Sequence, residues 1–138
     1  MEEARRLLRE VWGFDSFRPG QEEVVAAVAG GREVLAVMPT GGGKSLCYQL
    51  PALLRPGLTV VVSPLIALMR DQVRGLRAAG VEAGAYTSQS TDEELDALRG
   101  ALDGGRMKLL YLAPERLAQA GTAGALRRWG ARAIAVDE

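Results

Sequence analysis

Apolar residues fall into two periods along this chain, and the period changes near residue 31. Ala4, Leu7, Leu8, Val11 and Trp12 recur at helical spacing and stop at Gly13, which can take the left-handed capping conformation. A first helix ending there is predicted. After a turn segment, Phe14 to Gly20, the residues Val24, Val25 and Val28 mark a second helix that stops at Gly30-Gly31. Then come short unbroken apolar runs: Val34 to Met38, Leu58 to Val62, Leu109 to Leu112 and Ala133 to Val136. Such runs suit strands covered on both faces. A weaker strand is predicted over Glu82 to Tyr86.

Helical patterns separate the runs. Leu65, Leu68, Met69, Val73 and Leu76 form one, with Ser63 placed to cap it and Pro64 at the first helical position, where a missing N–H costs nothing. Thr91-Asp92-Glu93-Glu94 has capping-box spacing, and Leu95, Leu98 and Leu102 follow as a stripe that Gly104-Gly105 ends. Leu46, Cys47, Leu50, Leu53 and Leu54 keep helical period straight through Pro51, which predicts a kinked helix rather than a break. Strands alternating with helices predict an α/β fold, a parallel sheet with flanking helices and right-handed crossovers. No linker, repeat or low-complexity tract interrupts it.

Composition narrows the chemistry. The 138 residues include no His and one Cys, which excludes Ser-His-Asp and Cys-His mechanisms, His-ligated zinc and an internal disulfide. Lys, Ser, Thr, carboxylates and backbone dipoles have to supply the rest. Lys+Arg 17 balance Asp+Glu 17, so contact with a polyanion has to come from local clusters rather than from the body as a whole. Apolar runs reach about six residues against the ~20 of a spanning helix, and the start is charged, so an intracellular, soluble chain without a membrane partner is expected.

Pro39-Thr40-Gly41-Gly42-Gly43-Lys44-Ser45 lies between an apolar run and a helical pattern. Glycines let successive N–H groups surround an anion without Cβ clashes, and the following helix N-terminus adds partial positive charge. Lys44 can neutralise the outer phosphates of a nucleotide, and Ser45 can supply the hydroxyl that ligates magnesium in phosphate-loop proteins. Met38 stands where the strict pattern has Gly. The plainer alternative, a glycine turn with a solvated lysine, is the weaker one because both flanking elements are predicted. Asp137-Glu138 follows another apolar run; in such folds one acid holds magnesium, usually through water, and its neighbour orients or deprotonates the attacking water. Alone, that doublet could be a solvated terminus. The segments starting at Pro39, Ser63, Ala113 and Asp137 each begin directly after an apolar run, so a parallel sheet would bring all four to its carboxyl edge, where open α/β folds bind ligands.

Four ordered stretches carry a family resemblance: Phe14 to Gln21 (Phe-Asp-Ser-Phe-Arg-Pro-Gly-Gln), Met38 to Pro51, Val62 to Val73 and Tyr111 to Leu117. Together they resemble the motifs of RecQ-type DNA helicases of superfamily two and span nearly the whole chain. The resemblance implies a RecA-like P-loop domain, with 1–31 as a helical lead-in carrying an adenine-recognition motif and 32–138 as the α/β core. ATP and Mg2+ are the implied cofactors. Gln21 would read the adenine edge, Phe14 and Arg18 would sandwich the base, and Thr40, Gly41, Gly42, Gly43, Lys44 and Ser45 would hold the phosphates. Ser45 and Asp137 would serve the metal, and Lys44 and Glu138 would be catalytic. Ser63, Pro64, Leu65, Pro114, Glu115 and Arg116 would touch the backbone of single-stranded DNA. Simple packing is the competing reading for Phe14 and Phe17, with more weight at Phe17.

The implied activity is ATP-dependent 3'–5' unwinding of duplex DNA in recombination and repair. This chain would be the first part of the first motor domain, with a second motor domain expected elsewhere and no unwinding by these residues alone. Missing strands would leave an apolar sheet edge bare, so association or marginal stability is expected of these residues by themselves. A non-hydrolysing ATP-binding or adaptor module, or an RNA helicase of the same superfamily, are the alternatives. Arg70, Arg74 and Arg77 share a helix face that could extend a phosphate track, although a solvated face with Asp71 and Arg74 paired is the weightier reading.

Overall fold

The computed structural model describes residues 1–38 and 43–137, so the expectations at Thr40, Gly41, Gly42 and Glu138 lie outside the described residues. The chain divides into two compact units, Met1–Pro56 and Gly57–Glu138.

In the first unit, helix α1 (Glu2–Leu7) runs into a single π-helical turn over Leu8–Trp12 and closes on Gly13 at φ 74°. Helix α2 (Gln21–Ala29) ends at Gly30, and helix α3 (Leu46–Leu54) runs unbroken through Pro51, as its periodicity predicts. Ala4, Leu8, Val25, Leu46 and Leu50 form the shared core, with Leu7, Trp12, Phe17 and Leu54 packed around it. Each is the apolar position of its helix, which is why three short helices, individually marginal in water, hold one another. Arg5 pairs with Glu22 across α1 and α2, and Arg55 donates to the Val28 carbonyl at 3.3 Å.

The strand expected over Val34 to Met38 is not formed. Residues 32–38 have no regular structure, and Leu35 and Val37 are each 92% exposed. An apolar run stabilises a strand only when ladder partners and cover on both faces are present. This segment has neither among the described residues, and its composition alone could not reveal that.

The second unit is a four-stranded parallel sheet in the order β2-β3-β1-β4. Its elements are β1 (Leu58–Val62), α4 (Ile66–Ala78), β2 (Ala83–Tyr86), α5 (Asp92–Asp103), β3 (Leu109–Leu112), α6 (Pro114–Leu117), α7 (Thr122–Arg128) and β4 (Ala131–Val136). Central strands β1 and β3 are buried throughout, which explains their uninterrupted apolar sequence. Leu58, Val60, Val62, Leu110 and Leu112 share one core with Leu98, Ala101 and Leu102 of α5 and Leu126 of α7. Tyr111 points to the opposite face, where its hydroxyl donates to Gln72 of α4 at 2.7 Å. Strand β4 lies at an edge and exposes Ile134 (62%) and Val136 (74%). No helix among the described residues is long and apolar enough to cross a membrane.

Two caps test the sequence reading in opposite ways. Thr91 and Glu94 form the full capping box, each side chain bonded to the other's backbone N–H at 3.1 and 3.0 Å. Ser63 and Pro64 do not cap α4, because the helix starts at Ile66 with extended Leu65 as its N-cap. The Ser63 hydroxyl instead accepts from the Leu65 N–H at 3.3 Å, a turn that competes with helix initiation and pushes the start two residues on.

Hydrogen bonding from Thr91, its backbone N–H first, holds the Glu94 carboxyl below the usual glutamate range, with Arg70 adding its charge. A carboxyl with a lowered folded pKa contributes stability above its unfolded pKa and loses it as pH falls through the folded one. Independently, Thr91→Ala removes the N-cap of α5 and should cost about 1 kcal/mol of unfolding free energy in urea titration at neutral pH. The stability gap between the wild type and Glu94→Gln should close on acidification below the ordinary glutamate range.

Candidate functional site

The turn before α2 is tied to Gly43, the last of three consecutive glycines, by one side chain. Gln21, the first residue of α2, is only 4% exposed. Its Oε1 accepts from the Arg18 N–H at 2.8 Å, and its Nε2 donates to the Gly43 carbonyl at 3.0 Å. A carboxamide is the side chain that can accept and donate at once, so a buried Gln here satisfies two backbone groups. Gly43 is needed on two counts. Its φ of 76° is left-handed, and an added Cβ would strike Gln21 Nε2.

Phe14 stands 50% exposed on the turn, whereas Phe17 packs against the first unit's core. Packing therefore accounts for Phe17, and Phe14 offers an open ring. Arg18 is exposed and lies beside the Gln21 carboxamide through its own N–H. Lys44 and Ser45 lead into nine-residue α3: the Cys47 N–H bonds to the Lys44 carbonyl at 3.0 Å, and the Gln49 N–H to the Ser45 carbonyl at 3.0 Å. Both residues thus stand at the end of the helix that carries partial positive charge. Burial pushes the Cys47 thiol up from its ordinary value, which keeps it a neutral apolar filler rather than a nucleophile.

In the second unit the expected convergence of strand ends is present for three of the four segments, those starting at Ser63, Ala113 and Asp137; the one starting at Pro39 follows a run, Val34 to Met38, that forms no strand. Val62 of β1 is in register with Leu112 of β3 and with Val136 of β4, and Leu112 with Tyr86 of β2. Ser63, Ala113 and Asp137 therefore leave the sheet at one level of one edge. Ser63 is buried, and its N–H bonds to Leu112 at 3.1 Å; the Asp137 N–H bonds to Val62 at 2.9 Å. Pro64 and Leu65 are exposed, Leu65 by 51%. Pro114 and Glu115 are exposed at the start of α6, while Arg116 is partly covered.

Two groups at this edge were not singled out by sequence. Tyr86 ends β2 and lies under Arg116, whose guanidinium carbon stands 4.6 Å from the ring centroid. The Thr87 to Ser90 turn follows it: the Ser90 hydroxyl accepts from the Thr87 N–H at 3.0 Å, and the Thr87 hydroxyl from the Gln89 N–H at 3.1 Å. A polar Thr-Ser-Gln-Ser run directly after a weak strand was the available signal. The arginine stripe resolves toward its plainer reading. Arg74 pairs with Asp71 at 3.3 Å, Arg70 donates to the Gln89 carbonyl at 2.9 Å, and Arg77 donates to the Ala83 carbonyl at 2.7 Å. Arg77 thereby covers a carbonyl on edge strand β2, one way to blunt an open sheet edge.

Residues 18–138 match the DEAD/DEAH box helicase family model. The chain is 51% identical over 114 residues to the ATP-dependent DNA helicase RecQ of Haemophilus influenzae, covering 83% of this chain and 18% of that protein. It is 42% identical over 136 residues to the ATP-dependent DNA helicase RecQ of Bacillus subtilis, covering 98% and 23%. Against the ATP-dependent DNA helicase Q5 of Rattus norvegicus the identity is 50% over 120 residues, covering 84% and 12%. The chain thus spans less than a quarter of the length of each of these relatives.

Because Gly43 combines a left-handed backbone with contact to the Gln21 amide, Gly43→Ala should lower unfolding free energy by about 1–2 kcal/mol from the backbone alone. Gly43→Ala and Gln21→Ala should cost less together than the sum of their separate costs, as read by urea titration, because the clash disappears with the amide.

Proposed function

This chain belongs to the DEAD/DEAH box helicase family, and we propose that it supplies the ATP-binding and strand-gripping part of the first motor domain of a RecQ-type DNA helicase. The observation that carries the reading is the buried Gln21 carboxamide, which joins the turn at Arg18, proposed to hold adenine, to Gly43, the last of the three glycines proposed to hold phosphates.

The residues present suit ATP: the missing Cβ of Gly43 lets the Gln21 amide lie against its backbone, and Lys44 and Ser45 stand at the positive end of α3. In this reading Gln21 exchanges one backbone partner for the adenine edge, and Phe14 and Arg18 flank the base. Thr40, Gly41, Gly42 and Gly43 are assigned to the phosphates. Lys44 balances the negative charge of the outer phosphates, and Glu138 orients water for attack. The Ser45 hydroxyl and the Asp137 carboxylate are hard oxygen donors suited to magnesium, which when bound would offset charge on the phosphate oxygens.

Ser63, Pro64, Leu65, Pro114, Glu115 and Arg116 are assigned to the backbone of the single strand. Hydroxyls, turn N–H groups and a guanidinium grip phosphates without reading sequence. A second motor domain completes the machine, and movement needs two lobes that close around ATP, so these residues alone are not proposed to unwind duplex DNA. Unwinding with 3'–5' polarity, a role in recombination and repair, and a cytoplasmic location with nucleic acid are parts of the same proposal.

In the full-length protein, Lys44→Ala should abolish DNA-stimulated ATP hydrolysis, and retained turnover would refute the phosphate assignment. Gln21→Ala should reduce the preference for ATP over GTP in KM while largely sparing turnover at saturating nucleotide; unchanged base selectivity would remove the adenine role.

A further inference from the structure

We infer that Tyr86 is a positioning residue for Arg116, holding its guanidinium ready for a phosphate of the bound strand. The inference rests on the assignment of Arg116 to the single strand. Tyr86 ends β2 in register with Leu112, and four residues beyond Leu112 the chain places Arg116 in α6. The ring is held from below, since Tyr86 packs against the apolar core that Leu112 and Leu98 belong to. From above, the Arg116 guanidinium carbon lies 4.6 Å from the ring centroid. Arg116 Nη1 also lies 3.4 Å from the Tyr86 hydroxyl and 3.4 Å from Gln119 Oε1. These are long hydrogen bonds, so the ring face is the firmer restraint.

The backbone beneath Arg116 is fixed separately, by the Thr122 hydroxyl donating to the Arg116 carbonyl at 2.8 Å. Arginine carries five N–H donors in a rigid fork, so contacts at one nitrogen and one face set its plane while other donors can meet a ligand. A long flexible side chain otherwise loses rotamer freedom on binding; ordering it on a core-anchored ring before the strand arrives reduces that loss. Nothing in the Tyr86 position demands an aromatic for the sheet itself: the same core layer is filled by Leu112 and Leu110 on β3.

The test uses the full-length protein and measures ATP hydrolysis against the concentration of single-stranded oligonucleotide. Tyr86→Leu should raise the DNA concentration for half-maximal stimulation about three- to tenfold, the range expected for losing a cation–π restraint. The rate at saturating DNA, the KM for ATP and the DNA-free rate should not move. Tyr86→Phe, which keeps the ring, should stay close to the wild type, and thermal melting of each variant separates positioning from folding. Should Tyr86→Leu unfold, Tyr86→Met replaces it. Arg116→Ala should itself weaken DNA dependence, and Tyr86→Leu added to it should have no further effect. Two outcomes overturn the inference while leaving the Arg116 assignment intact: Tyr86→Leu behaving as wild type, or losses from the two variants that multiply. If Arg116→Ala leaves the DNA dependence unchanged, the strand assignment of Arg116 fails, and there is nothing for Tyr86 to position.

Discussion

The parallel ladder that β1 shares with β3 on one side and β4 on the other is the constraint that brings Ser63, Ala113 and Asp137 of the second unit to one edge. Parallel pairing aligns strand ends of the same sense, so Val62, Leu112 and Val136 stop together and the next residue of each strand is delivered to one edge. The Ser63 and Asp137 N–H groups continue that ladder for one more bond each, to Leu112 and Val62. Those residues are therefore held by main-chain geometry before any side-chain interaction is made. The energetic support is the apolar packing on the two faces of the sheet, where Val60, Leu109 and Leu110 are fully buried. A buried layer of this kind tolerates neither a register slip nor a polar insertion, since either would turn polar atoms into the core.

In the first unit a single amide plays the corresponding part. Gln21 is buried beside a glycine whose backbone no other residue adopts cheaply, and its two hydrogen bonds span 22 residues of sequence on one side and three on the other. Removing one partner would leave a buried donor or acceptor unmet, which costs more than the bond itself contributes. The turn carrying Phe14 and Arg18 is thus mechanically linked to the start of α3, where Lys44 and Ser45 stand. Any ligand that recruits the Gln21 amide acts on that link directly.

Much of this was legible in the sequence because it depends on local rules. Helix ends at Gly13, Gly30 and Gly104, the Thr91–Glu94 box and the strands at Leu58, Leu109 and Ala133 all follow from period and punctuation. Partner availability is the property that local rules could not supply. Val34 to Met38 has the composition of a buried strand, yet pairing is a property of two segments, and Leu35 and Val37 stand open to solvent. Pro64 has a favourable residue type for a helix start, but the Ser63 hydroxyl found the Leu65 N–H first. Tyr86 escaped notice for a related reason: its meaning lies in Arg116, 30 residues away, and no spacing rule connects them. At the site itself, the dual use of Gln21, bonded to both the Arg18 N–H and the Gly43 carbonyl, needed the three-dimensional fold.

Charge limits the ways in which such a surface can hold a strand. Equal numbers of acidic and basic residues give no long-range attraction to a polyanion. Several arginines that might have formed a basic track are instead committed to Ala83, Gln89 and Asp71 within the fold. If the proposed strand assignment holds, grip has to come from a few groups fixed in advance: the Ser63 turn, the start of α6 and a guanidinium seated on an aromatic ring. A surface built this way gives up electrostatic reach for defined placement, and under the proposed function its contacts with a strand would be specific in position and individually modest.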